Sequence, residues 1–338
     1  MNTNDSFNQT KTVTARIVSV HKNRFQIALD TAEQNTAEHD AVLAGRLLYR
    51  GEIPVVGDYI EAEFETSTVG KPVGDARIIS ILPRKSLITR PEYRVGTQNM
   101  AANVDICFLV VSANADFSVN RIARYASAVL QGGSKPVVVL TKADLCSDLS
   151  EYMHRITEIC GNIQMHCVSS KTGVGIDELR QYLVPGTTIG LFGSSGVGKS
   201  TLINTLLGRE IMRTGDIREK DDKGRHTTTH RQLIEADGVF LVDTPGMREF
   251  GICEAEEGLH EVFRDIEETA RQCRFRKNEP GCAVRQAIED GVLSQKQYDL
   301  YLALQAENSV RTASEKRAQK NKKMIGISKK RKELRNNH

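Results

Sequence analysis

The stretch that most constrains this chain is Gly193-Ser194-Ser195-Gly196-Val197-Gly198-Lys199-Ser200, because G-x-x-x-x-G-K-[ST] serves one local geometry. An apolar run, Thr188–Phe192, precedes it, and a helical pattern over Lys199–Leu207 follows. A strand, a loop and a helix start are therefore predicted in that order. The glycines let the backbone wrap closely around phosphate oxygens, while successive N–H groups and the helix N-terminus face the anion. In that geometry Lys199 bridges the β- and γ-phosphates and Ser200 offers its hydroxyl to Mg²⁺. Thr201, next on the helix, is counted with the loop as a nucleotide contact.

Two further stretches fit the phosphate end of such a site. Asp243-Thr244-Pro245-Gly246 directly follows the apolar run Val239–Val242, so Asp243 is placed to hold Mg²⁺ through water and the Gly246 N–H to meet the γ-phosphate. Between the two lies Gly224-Arg225-His226-Thr227-Thr228-Thr229-His230, where a threonine hydroxyl, with Thr228 as the candidate, reaches the metal only when the γ-phosphate is present. The preceding stretch, Arg213 to Lys223, is charged and poor in apolar residues, as a nucleotide-dependent switch loop should be.

The base is read elsewhere. Thr141-Lys142-Ala143-Asp144 follows the apolar run Pro136–Leu140 and resembles N-K-x-D. The Asp144 carboxylate would accept from guanine N1–H and N2–H₂, groups that adenine lacks, and the Lys142 stem would cover the base face. Losing such a pair leaves polar groups unsatisfied, so discrimination can be large. Thr141 stands where Asn is usual, which is expected to loosen the loop or the N7 contact. Ser169-Ser170-Lys171 follows the run Met165–Val168 and resembles the S-A-K loop, which meets the base O6 through a backbone N–H. In ordinary GTPases the phosphate motifs come first and the base motifs last. Here the order is reversed, which is a circular permutation. Each motif still ends its own strand, so the three-dimensional site can be unchanged, but the chain leaves the nucleotide domain just after Asp243–Gly246 and enters the C-terminal segment directly. That short link would let the C-terminal helices sense the nucleotide.

Around this site three regions are expected. From Val13 to about Arg90, five strand candidates (Thr14–Val20, Arg24–Leu29, Ala41–Leu48, Tyr59–Phe64 and Asp75–Leu82) separated by turn signals fit a small OB-fold β-barrel. Residues 91–251 alternate apolar runs with helical patterns at about Asn120–Gln131, Leu149–Cys160, Ile176–Tyr182 and Lys199–Leu207, which predicts a doubly wound α/β P-loop domain. Residues 252–307 read as helical, residues 1–12 as disordered, and residues 308–338 as a basic tail. From Arg311 to His338 there are eleven Lys or Arg against two Glu, so +9 sits in the tail and −6 on the rest of a chain whose net charge is +3. A basic tail on an acidic body predicts an anionic partner. No apolar run reaches the roughly 18 residues of a membrane-spanning helix, and the polar N-terminus has no signal-peptide core, so a cytoplasmic protein with no membrane partner is expected. The seven scattered cysteines do not make a disulfide framework, and Cys107 and Cys167 are expected to be buried small hydrophobes.

Barrel, permuted nucleotide domain and helical segment together resemble the ribosome small subunit-dependent GTPase A family over about Val13 to Glu307. The resemblance is carried by Gly224 to His230, by Asp243-Thr244-Pro245-Gly246-Met247-Arg248-Glu249-Phe250-Gly251 and by Glu279-Pro280-Gly281-Cys282-Ala283-Val284. It implies GTP/GDP and Mg²⁺ as ligands, and a monomeric enzyme of late small-subunit maturation whose GTP hydrolysis the subunit stimulates. The small ribosomal subunit and its rRNA are the implied partners, with the barrel on rRNA. It also implies that His226, with Lys199, is catalytic, since Met247 stands where many GTPases carry a water-orienting Gln. Two other readings stay open: a nucleotide switch of the same fold with another RNA or protein partner and little hydrolysis, and an RNA-binding module with a decayed nucleotide domain. The intact Lys199, Ser200, Asp144 and Asp243 argue against the second.

The family pattern includes a zinc site, Cys-x₄-Cys-x-His-x₅-Cys. Here Cys273 and Cys282 remain, but the segment is shortened and the middle Cys and His are gone. Structural zinc normally takes four ligands. Elemental analysis of the purified protein is therefore expected to find far less than one zinc per chain. One zinc per chain that disappears in Cys273→Ser would overturn this reading.

Overall fold

The computed structural model describes residues 9–21, 24–29, 38–66, 72–92, 96–114, 117–212, 232–243, 255–273, 282–310, 312–313 and 317. Period-two burial builds the first unit. Strands β1 (Gln9–His21), β2 (Arg24–Leu29), β3 (Glu38–Leu43), β4 (Tyr59–Thr66) and β5 (Pro72–Ile81) turn Ala15/Ile17, Phe25/Ile27, Ile60/Ala62/Phe64 and Ala76/Ile78 inward. Alternating small and large side chains fill the narrow interior. The strands pair in the order β1-β2-β3-β5-β4, and β4 returns to β1, so the sheet closes into a barrel. Every pairing is antiparallel except β3 with β5.

One strand expectation is overturned. Ala41–Leu48 is not a continuous strand: β3 stops at Leu43, and helix α1 spans Gly45–Arg50. Its Leu47 is buried while Leu48 and Tyr49 are exposed, a burial pattern that two-residue alternation would not give. Gly51 ends α1 in the left-handed region at φ 72°, with its N–H on the last helical carbonyls.

The second unit is a doubly wound sheet. Its strands are β8 (Ile106–Ser112), β9 (Lys135–Thr141), β10 (Gln164–Cys167), β11 (Thr188–Phe192), β12 (Gln232–Ala236) and β13 (Val239–Asp243). They lie in the order β10-β9-β8-β11-β13-β12, parallel except for β12. Strands β8, β9 and β11 are buried on both faces, as their unbroken apolar runs require. Helices α2 (Val119–Gln131) and α3 (Ser150–Cys160) cover one face, and α4 (Ile176–Arg180) and α5 (Lys199–Leu207) the other. The hairpin β6 (Leu87–Glu92) and β7 (Gly96–Ala102) has no sequence-predicted counterpart, because its apolar residues cluster at Leu87-Ile88 and Met100–Ala102 instead of alternating, and its register shifts between Ile88 and Thr89. Cys107 is fully buried, as expected, and burial pushes its thiol pKa up. Cys167 is only half-buried.

The barrel joins this sheet edge to edge. Ser19 of β1 registers with Gln232 of β12, which in turn registers with Asp243 of β13. Arg16 secures the junction. It is 5% exposed, its guanidinium lies 4.9 Å from the Tyr59 ring and 4.4 Å from the Phe240 ring, and Nη2 donates to Thr188 Oγ1 at 2.6 Å. Asp58, fully buried, takes two 2.7 Å bonds from Arg84 in the connecting segment and one of 2.7 Å from the Val55 N–H.

Helices α6 (Glu256–Val262), α7 (Arg264–Ala270), α8 (Ala283–Glu289) and α9 (295–310) extend the α2–α3 core with Leu259, Val262, Phe263, Tyr301 and Leu304. Polar contacts fix the seating: Arg124 Nε to Glu307 Oε2 at 3.1 Å, Ser294 Oγ to Glu158 Oε1 at 2.6 Å, and the Gly258 N–H to Gln131 Oε1 at 3.1 Å. Cys273 and Cys282 meet at 3.7 Å between sulfurs, beside this core.

Gly258 sets the approach of α6 to α2, since a Cβ there would stand 1.8 Å from the Ser127 carbonyl oxygen. Gly258→Ala is expected to lose about 1–3 kcal/mol in urea unfolding. Gly45→Ala, with nothing within 4 Å of the new carbon, should stay within about 0.5 kcal/mol of the parent.

Candidate nucleotide site

Parallel strands place their following loops at one edge of the sheet. The C-terminal ends of β10, β9, β8, β11 and β13 therefore bring Ser169–Lys171, Thr141–Asp144, the β8–α2 segment, Gly193–Ser200 and Asp243 to a common rim. The four motif stretches lie far apart in the chain, and only this pairing brings them together.

The phosphate loop has the backbone its sequence demands. Gly193 at φ 154° sits so close to β8 that a Cβ would come 2.2 Å from the Val110 carbonyl oxygen. Gly196 and Gly198 hold φ 79° and 96°, and no atom lies within 4 Å of a Cβ at Gly196. That open concavity, ahead of the N-terminus of α5, suits an anion held by backbone N–H groups. Lys199 Nζ donates to the carbonyls of Gly193 and Ser194, both at 2.9 Å, so its charge is held over the loop rather than in solvent.

At the base end, Lys142 takes a left-handed conformation at φ 59° and turns the chain into a short 3₁₀ segment, Ala143–Leu145. The Ala143 N–H bonds the Val168 carbonyl at 3.1 Å, joining this loop to the next strand end. The exposed Asp144 carboxylate accepts from the Ser169 hydroxyl at 2.6 Å. That bond, with the nearby Lys171 charge assisting, holds the Asp144 pKa below the ordinary carboxylate range. Asp144 is therefore an anionic acceptor at neutral pH. Ser169 is buried, and its hydroxyl also takes the Thr172 N–H at 3.2 Å, so its orientation is set from two sides.

Thr141 ties the base loop down. It is buried, and its hydroxyl lies 2.6 Å from the Val197 carbonyl of the phosphate loop and 3.0 Å from the Val111 carbonyl of β8. One hydroxyl carries one hydrogen, and the shorter contact to Val197 is the better bond. Threonine thus joins the base loop to the phosphate loop.

Sequence patterns missed one wall of the site. A cleft of about 420 Å³ is lined by Ser112, Asn114, Arg121 and Ser194–Val197, and Arg121 Nη1 donates to Ser194 Oγ at 3.2 Å. The available signal was that the predicted run Ile106–Val111 must end at the same rim as its neighbours. His226, Thr228 and Gly246, and with them the stretch Gly224–His230 and the residues that directly follow Asp243, lie outside the described residues. Asp243 ends β13, with its backbone in register with Leu191 of β11. No group of three or more His, Cys, Asp or Glu suited to a metal ion occurs among the described residues.

Comparison with known proteins decides the family. The profile of the RsgA GTPase family matches residues 81–253. A small ribosomal subunit biogenesis GTPase RsgA 2 of Listeria monocytogenes is 41% identical over 260 residues, covering 75% of this chain and 72% of its own. The chain belongs to the RsgA GTPase family. It is a GTP hydrolase with a circularly permuted nucleotide domain. A family relative in Methanosarcina acetivorans, named small ribosomal subunit biogenesis GTPase RsgA, is 38% identical over 301 residues, covering 87% of this chain and 79% of its own. A second profile, described as 50S ribosome-binding GTPase, matches residues 188–330 and thus starts at the phosphate strand. Among solved structures, YjeQ from Thermotoga maritima superposes with a TM-score of 0.63 at 28% identity over 87% of this chain and 97% of its own. YloQ, described as a circularly permuted GTPase, shares the fold with a TM-score of 0.63 at 23% identity, over 92% of this chain and 99% of its own.

Asp144 generates a base-selectivity prediction. The protein is expected to bind GTP and GDP in preference to ATP, and Asp144→Asn to shift preference toward xanthine nucleotides, whose 2-oxo group needs a donor. Competition binding with the four nucleotides checks it. Equal affinity of the unaltered protein for ATP and GTP would refute the assignment of Asp144 to the base.

Proposed function

We propose that this GTPase acts on the small ribosomal subunit during its late maturation, as a cytoplasmic monomer whose hydrolysis the subunit stimulates. The observation that carries the reading is the joined site: an anionic Asp144 oriented by Ser169 and a phosphate loop crowned by Lys199, tied to each other through Thr141. The relatives named for small-subunit biogenesis supply the partner.

In this reading Lys142, Ala143, Asp144, Ser169, Ser170 and Lys171 hold guanine, and Gly193–Thr201 hold the phosphates. The open, positive-φ backbone at Gly196 and Gly198 fits a polyphosphate. Ser200, Asp243 and Thr228 would hold Mg²⁺, which neutralises charge on the β- and γ-phosphate oxygens when bound. Lys199 leaves the Gly193 and Ser194 carbonyls for phosphate oxygens, a charge-assisted exchange that favours binding. His226 orients the attacking water in place of the glutamine that Met247 replaces, so hydrolysis is slow until the subunit stimulates it. The barrel and the basic tail from Arg311 meet rRNA, the tail through phosphate contacts that release counterions.

Turnover of GTP with and without purified small subunits tests the proposal, and a large stimulation is expected. His226→Ala should keep nucleotide affinity and lower the stimulated rate roughly 10²-fold, the lower range for a positioned catalytic side chain. A rate that subunits leave unchanged would favour the nucleotide-switch reading instead. An unchanged stimulated rate in His226→Ala would make that histidine structural.

A further inference from the structure

We propose that Arg121 is a cis-acting guanidinium for the terminal phosphate of bound GTP, delivered by the first turn of α2. The proposal rests on the assignment of Gly193–Ser200 to the nucleotide phosphates and adds a residue that no motif contains.

Two independent observations carry it. The first is position: the half-buried Arg121 reaches across the cleft so that Nη1 lies 3.2 Å from the hydroxyl of Ser194, inside the phosphate loop. The second is placement against local preference. Ser118 caps α2, its side chain accepting from the Arg121 N–H, which makes Arg121 the third helical residue. That position favours Glu or Gln, whose side chain can return to the cap, and the helix dipole there disfavours a cation. The first turn of α2 carries no acidic residue at all. A positive charge set against the dipole and aimed at the phosphate loop is placed to meet an arriving anion.

The terminal phosphate is the target because the loop N–H groups cradle the inner phosphates, which leaves the outer oxygens to side chains. A neutral serine hydroxyl is a weaker acceptor than a phosphate oxygen, so the guanidinium exchanges partners when GTP binds, with bidentate geometry available to it. An arginine supplied within the chain to a transferring phosphoryl group has precedent among P-loop GTPases. Helix α2 also carries Arg124, which pairs with Glu307 of α9 at 3.1 Å, so the helix that delivers Arg121 is held at its next turn by the C-terminal domain.

The test compares full-length wild type, Arg121→Ala, Arg121→Gln and Arg121→Lys for affinity toward GDP and a non-hydrolysable GTP analogue, and for single-turnover hydrolysis. Glutamine keeps a donor for Ser194 but removes the charge. Expected are GDP affinities near wild type in all variants, which also reports an intact fold. Analogue affinity should fall about tenfold or more in Ala and Gln, as for a lost hydrogen bond to a charged group, hydrolysis should slow with it, and Lys should recover part of both. Equal losses for GDP and the analogue, or full retention in Arg121→Gln, would overturn the proposal and leave Arg121 as a brace for the loop. A wild-type protein that binds neither nucleotide would overturn the phosphate-loop assignment itself.

Discussion

Backbone pairing among the buried parallel strands β9, β8, β11 and β13 is the constraint on which the rest of this molecule depends. These strands are apolar on both faces, so they have no stable alternative to a central position between two helical layers. Once paired, they hold four loops at one rim regardless of the order in which the chain visits them. Circular permutation is tolerated for that physical reason: the site depends on which strand each motif terminates, and on lateral strand order, rather than on sequence order.

Polar contacts then convert a shared rim into a single site. The Thr141 hydroxyl meets the Val197 carbonyl, and Ser169 orients Asp144 across two neighbouring strand ends. Thr141, Val197 and Ser169 are buried, where an unmade hydrogen bond is costly, so these bonds fix relative position more firmly than contacts between two surface groups would. The same logic applies at the barrel junction. Arg16, nearly enclosed between two aromatic rings and bonded to Thr188, leaves little freedom for the barrel to swing away from the strand that leads into the phosphate loop.

Permutation also changes what surrounds the site. Strand β12 lies beside β13, and Gln232 stands at once opposite Asp243 and opposite Ser19 of the barrel. The barrel therefore abuts the hairpin on which the phosphate-side motif ends. On the other side, α2 is shared between the phosphate cleft, through Arg121, and the C-terminal helices, through Gly258 and Arg124. Both flanking domains thus contact elements that frame the candidate nucleotide cleft.

Local chemistry made much of this legible in advance. Glycine spacing, Lys199 and Ser200 specify the phosphate loop because few backbones accept that pattern. Short β-rich runs between turn signals marked the barrel strands, and unbroken apolar runs marked the buried ones. At Leu47-Leu48-Tyr49 the end of a predicted strand proved to be helix α1, where Leu47 alone of the three is buried, against the barrel core. Strands β6 and β7, whose apolar residues are adjacent rather than alternating, carried no periodic signal. The sequence by itself determined the motifs, their inverted order and the strand each one terminates, because these depend on neighbours within a few residues. Only the tertiary structure decided that Thr141 binds the phosphate loop, that Arg121 faces it and that Arg16 pins the barrel. Those contacts join residues 56, 73 and 172 positions apart, and no local spacing encodes which distant carbonyl or hydroxyl a buried polar side chain will meet.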